Sequence, residues 1–127
     1  MAAANHKILI IDDEPLILSS LSYILSDRFE VMTAEEGVSG LSMFSDNHPS
    51  LVLLDVNMPY ISGIEVLARI REMDSEVPVF MMTGIGKTDD LDSSWTRQCA
   101  SLGISGYFIK PVVPEKLLRQ IEKAIKK

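Results

Sequence analysis

The chain has 127 residues, 46% apolar and 24% charged, which is the length and usage of one folded domain and argues against a disordered chain or a disulfide-stapled miniprotein. Its formal charge is −6, from 18 acidic and 12 basic residues, so it repels a phosphate backbone and no direct nucleic-acid binding is expected. The single cysteine, Cys99, excludes an intrachain disulfide and points to a reducing, cytoplasmic setting.

Residues 1–6 read as a loose tail, and 1–127 as one domain. The first apolar run is Lys7–Ile11. Asp12, Asp13 and Glu14 follow it, and Pro15 opens a helix whose face is Ile17, Leu21, Ile24 and Leu25. A second run, Phe29–Thr33, leads to a helix face of Val38, Leu41 and Phe44, weakened by Gly37 and Gly40. The third run, Ser50–Leu54, ends against Asp55 and is followed by a face of Ile64, Leu67, Ala68 and Ile70. The fourth, Val77–Met82, ends against Thr83 and Gly84, and Leu91, Trp95, Cys99 and Leu102 then share a helix that stops at Gly103. The fifth, Gly106–Ile109, ends against Lys110 and Pro111, and a last helix from Pro114 presents Leu117, Leu118, Ile121 and Ile125.

Short, uninterrupted Ile/Val/Leu runs are how strands buried on both faces of a parallel sheet read. Five of them alternating with five helices predict an open, doubly wound α/β sheet with right-handed crossovers. The longest apolar runs span four to six residues, where a membrane-spanning helix needs about 20, and MAAANHK lacks the pattern of a signal peptide. No membrane association is expected.

In such sheets function collects at the carboxyl ends of the strands. If the first and third strands are neighbours, Asp12, Asp13 and Asp55 converge there. Crowded carboxylates repel one another, and a hard divalent cation such as Mg²⁺ relieves that repulsion. Lys110 adds a positive point charge and Thr83 a hydroxyl donor. Together they form a pocket suited to a phosphoryl group carried on an aspartate. Each residue has a plainer reading by itself. Asp12 and Asp13 can cap a helix, Asp55 and Thr83 suit a loop, Lys110 can be solvated, and Tyr107 can be a half-buried ring. Cys99 and Trp95 read as helix packing, His6 and His48 as solvated, and Lys123, Lys126 and Lys127 as complements to a helix dipole.

The motifs IIDDEP (10–15), LLDVNMPYISG (53–63), MMTG (81–84) and YFIKP (107–111) resemble, in order and each at a strand end, the receiver domain of two-component response regulators, chemotaxis regulators among them. The resemblance runs from Lys7 to Lys126. It implies a flavodoxin-like α/β fold, a five-stranded parallel sheet in the order 2-1-3-4-5. It implies that Asp55 accepts the phosphoryl group and that Asp13 ligates Mg²⁺, for which Mn²⁺ can substitute. Asp12 is the acidic partner acting through water, and the Asn57 backbone carbonyl completes the metal site. Lys110 pairs with the acidic cluster and then with the phosphoryl group. Thr83 and Tyr107 are the switch hydroxyl and switch aromatic, and a cis bond is implied before Pro111. The donor would be a sensor histidine kinase or a histidine phosphotransfer protein. The output would be a surface around the fourth helix, fifth strand and fifth helix that engages a downstream effector, or a second copy on phosphorylation. The implied role is that of a signalling protein that assists its own phosphorylation and dephosphorylation, not of an enzyme with a metabolite product.

One departure from the family pattern is the longer spacing from Thr83 to Gly103, which places extra residues in the 84–90 loop, with Ile85 flanking the pocket. That loop motivates an alternative, an interaction module that keeps the fold without using phosphate. A phosphohydrolase would need a separate acid or base and a substrate cavity. A flavin carrier would need a phosphate-binding loop where this chain has Asp12, Asp13 and Glu14.

Overall fold

The structure is a computed structural model that describes residues 6–84 and 94–125, without the side chains of 94–96. The readings made for Ile85, the rest of the 84–90 loop, Leu91, Trp95, Lys126 and Lys127 lie outside the described residues. In chain order the elements are β1 (Lys7–Ile11), α1 (Pro15–Leu25), β2 (Glu30–Ala34), α2 (Gly37–Asn47), β3 (Leu51–Asp55), α3 (Gly63–Met73), β4 (Val79–Thr83), α4 (Ser94–Leu102), β5 (Gly106–Ile109) and α5 (Pro114–Ile125). The five strands form one parallel sheet in the order β2-β1-β3-β4-β5.

Alternation along the strands divides the core in two. Leu9, Ile11, Val52, Leu54, Val79 and Met81 face α2, α3 and α4, where Phe44, Val66, Leu67, Ile70 and Cys99 pack against them. Ile8, Ile10, Leu51, Leu53, Phe80 and Met82 face α1 and α5, meeting Leu18, Leu21, Leu25, Leu117 and Ile121. Each such side chain taken out of water contributes about 1.5–3 kcal/mol, which is why every strand but β2 and β5 is apolar almost throughout.

Three strands start later than the sequence reading placed them. Phe29 donates its N–H to the Leu25 carbonyl at 3.0 Å, so it belongs to the exit from α1, and β2 begins at Glu30. Pro78 has no N–H for the ladder, so β4 begins at Val79 and runs through Thr83. β3 begins at Leu51 and includes Asp55. Asp55 and Thr83 are therefore the last residues of their strands and not the first residues beyond them. The glycines of α2 have a packing reason: a Cβ on Gly40 would sit 2.6 Å from Ile11 Cδ1, so the helix approaches β1 at backbone distance. Gly103 ends α4 at φ +91°, in the left-handed region suited to a glycine stop, and the Lys110–Pro111 bond is cis.

Candidate functional site

The strand order reverses between β1 and β3, and the side chains at issue gather at that crevice. Register puts them there. Ile11 pairs with Leu54, Asp55 with Met82, and Thr83 with Ile109, so successive strands end almost level. The backbone continues the ladder one step further: Asp12 N–H donates to Ala34 O at 3.0 Å, Val56 N–H to Met82 O at 2.9 Å, and Lys110 N–H to Thr83 O at 2.8 Å. Asp12, Asp55, Thr83 and Lys110 are thus held by strands or their immediate continuations, whereas Asp13, Glu14 and Asn57 lie in the connections beyond them.

Asp12, Asp13 and Asp55 each bring a carboxylate oxygen to within 4.8 Å of the others. Asp12 and Asp55 are buried and Asp13 is half-buried. The Lys110 ammonium lies 2.8 Å from Asp12 Oδ2, 3.0 Å from Glu14 Oε1 and 3.3 Å from Asp55 Oδ1. Only its contact with Glu14 has the alignment of a hydrogen bond. A cavity of about 300 Å³ opens on this group, lined by Asp13, Glu14, Asp55, Asn57, Gly84 and Lys110.

Among the described residues, the electrostatics follow from one cation among too many anions. Burial, and then the Asp12 charge, push the Asp55 carboxyl up to about 7, although Lys110 and the Asn57 backbone N–H act against the shift. Burial also raises Asp12, opposed by Lys110 and by the Glu14 N–H, which donates to Asp12 Oδ1 at 2.9 Å. Burial by itself would lower Lys110, but its contacts with Asp12 and Glu14 and the charge of Asp55 outweigh that and raise it. The lysine stays charged while the acids compete to shed their charge. Three close carboxylates with an unrelieved repulsion are a donor set that fits a hard, oxygen-binding dication such as Mg²⁺.

The remaining candidates are less uniform. Thr83 is 1% exposed, and its Oγ1 has no hydrogen-bond partner among the described residues. A buried hydroxyl left so costs about 1–3 kcal/mol, a cost that an added acceptor would remove. Asn57 is exposed and lines the cavity. Tyr107 is half-buried on β5 and packs with the α4-side core. Burial, followed by the neighbouring Cys99, raises its hydroxyl. Cys99 is fully buried, its thiol pushed up to about 11 by burial, consistent with packing and not nucleophilic chemistry. His6 Nδ1 lies 3.1 Å from Ser50 Oγ, so it ties β1 to β3 where a solvated ring was expected.

Three contributors escaped the sequence reading. Neither Asp12 nor Asp13 is the N-cap of α1; Glu14 is, and its carboxylate makes no cap hydrogen bond but reaches Lys110. Glu14 follows β1 and Lys110 follows β5, with β3 and β4 between them, and only the length of both side chains hinted at this contact. Gly63 opens α3 directly on the backbone of Asp55: a Cβ there would meet Asp55 C and Val56 Cα at 2.9 Å and Asp55 O closer still. Its N–H donates to Val56 O at 3.0 Å, fixing the turn behind Asp55. Arg71, at the other end of the sheet, is described below.

No helix among the described residues is long and apolar enough to cross a membrane. Similarity to known proteins follows the geometry. The transcriptional regulatory protein PrrA of Mycobacterium tuberculosis is 30% identical over 124 residues, 97% of this chain and 51% of PrrA. The probable transcriptional regulator ycf27 of Galdieria sulphuraria is 39% identical over 122 residues, 92% of this chain and 44% of that protein. The chain thus spans about half the length of the curated relatives it matches. A CheY-like response regulator receiver domain protein from Methanospirillum hungatei superposes with a TM-score of 0.87 at 27% identity, covering 97% of this chain and 95% of that one. A response regulator receiver domain protein from Clostridium thermocellum does so with a TM-score of 0.82 at 33% identity, covering 95% and 94%. The model of the response regulator receiver domain family matches residues 8–122, and with sheet order, strand-end acids and lysine all in agreement, the chain belongs to that family.

Proposed function

We propose that this receiver domain takes a phosphoryl group onto Asp55 from a phosphohistidine of a sensor histidine kinase or histidine phosphotransfer protein, with Mg²⁺ held by Asp12, Asp13, Asp55 and the Asn57 backbone carbonyl. The observation that carries the reading is a buried carboxylate, Asp55, set among two further acids, with Lys110 at 3.3 Å and an unpartnered buried hydroxyl one strand away. In the transfer an Asp55 oxygen attacks phosphorus, the P–N bond to the donor imidazole breaks, and a P–O bond forms. The metal, when bound, neutralises charge on the acids and on the transferring group. Lys110 then pairs with the new phosphoryl oxygens. The Thr83 hydroxyl gains an acceptor it lacks in the unmodified protein. Tyr107, on the strand edge beside Cys99, follows it, and the surface around α4, β5 and α5 is biased towards a downstream effector. Water attack on the acyl phosphate resets the domain. The effector is a separate domain or protein, and the printed names of the longer relatives, transcriptional regulators, support an output of that kind.

Intact mass after incubation with acetyl phosphate tests this. One phosphate on the wild type, absent without Mg²⁺ and absent from Asp55→Asn, is the expected result. No adduct and no Mg²⁺ binding would favour the alternative, an interaction module that does not use phosphate.

A further inference from the structure

We infer that Glu14 is a positioning residue that draws the Lys110 ammonium away from Asp55, raising the affinity of the acid cluster for its cation and slowing phosphoryl transfer; the inference rests on the function proposed above. Three observations converge. Glu14 occupies the N-cap position of α1, yet its side chain makes no cap hydrogen bond. An N-cap side chain ordinarily satisfies an N–H of the first turn, so a Glu that forgoes this is free for another contact. Its Oε1 accepts from Lys110 Nζ at 3.0 Å, across 96 residues of sequence. That contact is longer than the one to Asp12, at 2.8 Å, but shorter than the one to Asp55, at 3.3 Å, so the resting lysine sits nearer Asp12 and Glu14 than the acceptor aspartate.

The consequences have opposite signs for two measurable steps. A cation that seeks the oxygens of Asp12 and Asp55 competes there with Lys110. Glu14 shares the lysine and so leaves the Asp55 oxygens more available. A phosphoryl group arriving at Asp55 needs Lys110 for itself, and there Glu14 both retains the lysine and repels the dianionic donor. Removing the carboxylate therefore weakens cation binding and speeds transfer. A merely structural role would weaken both.

The test uses Glu14→Gln, Glu14→Asp and, as a charge control far from the pocket, Asp46→Asn. Mg²⁺ affinity is read by titration calorimetry without phosphodonor, and the phosphorylation rate by intact mass with acetyl phosphate at saturating Mg²⁺. Glu14→Gln is expected to weaken Mg²⁺ binding about threefold and to raise the phosphorylation rate by about the same factor, the scale of one partly exposed ion pair. Glu14→Asp keeps the charge but is one methylene short of the lysine, and is expected to follow Glu14→Gln. Asp46→Asn is expected to match the wild type. The inference is overturned if Glu14→Gln matches the wild type in both measurements, lowers both, or differs from a Glu14→Asp protein that behaves as wild type. A wild type that binds Mg²⁺ but takes no phosphate overturns the function proposed above, and the calorimetric comparison still decides whether Glu14 shares the lysine.

Discussion

Among the described residues, each end of the sheet sets a cation against several oxygens, and the two ends use it in opposite ways. At the amino end of β4 and β5, the Arg71 guanidinium donates to the carbonyls of Leu102 and Gly103 at 3.1 Å, Asp74 at 3.0 Å and Val77 at 2.8 Å. It contacts Gly103 O again through its other nitrogen at 2.8 Å. Those carbonyls do not titrate, and those of Asp74, Leu102 and Gly103 lie at the ends of α3 and α4 where carbonyls would otherwise lack partners. At the carboxyl end, Lys110 faces carboxylates that repel one another, beside a buried hydroxyl with no partner among the described residues. Burial lowers Arg71, whose oxygens are mostly neutral, whereas its acidic neighbours raise Lys110 despite burial. One end is a fastener with its polar groups matched. The other is left polarised, so that added positive charge or a phosphoryl group lowers its free energy.

The comparison can be broken first where backbone meets backbone. Gly63→Ala places a methyl group against the Asp55 and Val56 main chain, where nothing flexible can give way, and is expected to cost about 3 kcal/mol or more in urea unfolding. Next comes the fastener. Arg71→Ala strands four carbonyls and is expected to cost about 2 kcal/mol, while the acetyl phosphate adduct on Asp55 forms at the wild-type rate. A slowed adduct with unchanged stability would erase the distinction between the ends. The smallest effect belongs to Thr83→Val. Because Oγ1 has no partner to lose among the described residues, the variant is expected to be as stable as the wild type or more stable by up to about 1 kcal/mol, the reverse of the usual cost of a buried substitution.

The sequence was most readable where burial and spacing leave few choices. Uninterrupted runs such as Leu51–Leu54 identify a doubly buried strand by themselves, and once five of them are parallel, Asp12, Asp55, Thr83 and Lys110 are forced to one edge. Contacts decided by reach and shape were harder. Nothing in the order of residues says that Glu14 leaves its helix uncapped to meet Lys110, nor that Arg71 turns towards Leu102 and Gly103, 31 and 32 positions away. Gly37 and Gly40 read as helix weakness because propensity is local, whereas the close approach of α2 to Ile11 is tertiary. Strand starts slipped at Phe29 and Pro78 because helix exits and a missing N–H override hydrophobic pattern.

The central claim is that the carboxyl end holds carboxylates at odds with one another until a cation arrives. Its most direct test is urea unfolding of the metal-free protein beside Asp55→Asn across pH 4–8. Asp55 is raised from 3.8 to about 7 on folding, so the native state binds its proton more tightly than the unfolded chain. Stability from this group is then greatest below about pH 4, falls as pH rises towards about 7, and levels off above. The account predicts that the wild type loses stability relative to Asp55→Asn across that window, by an amount of the order of 2–4 kcal/mol, and that Mg²⁺ restores it to the wild type far more than to the variant. Two profiles that run parallel from pH 4 to 8, with equal gains from Mg²⁺, would contradict it.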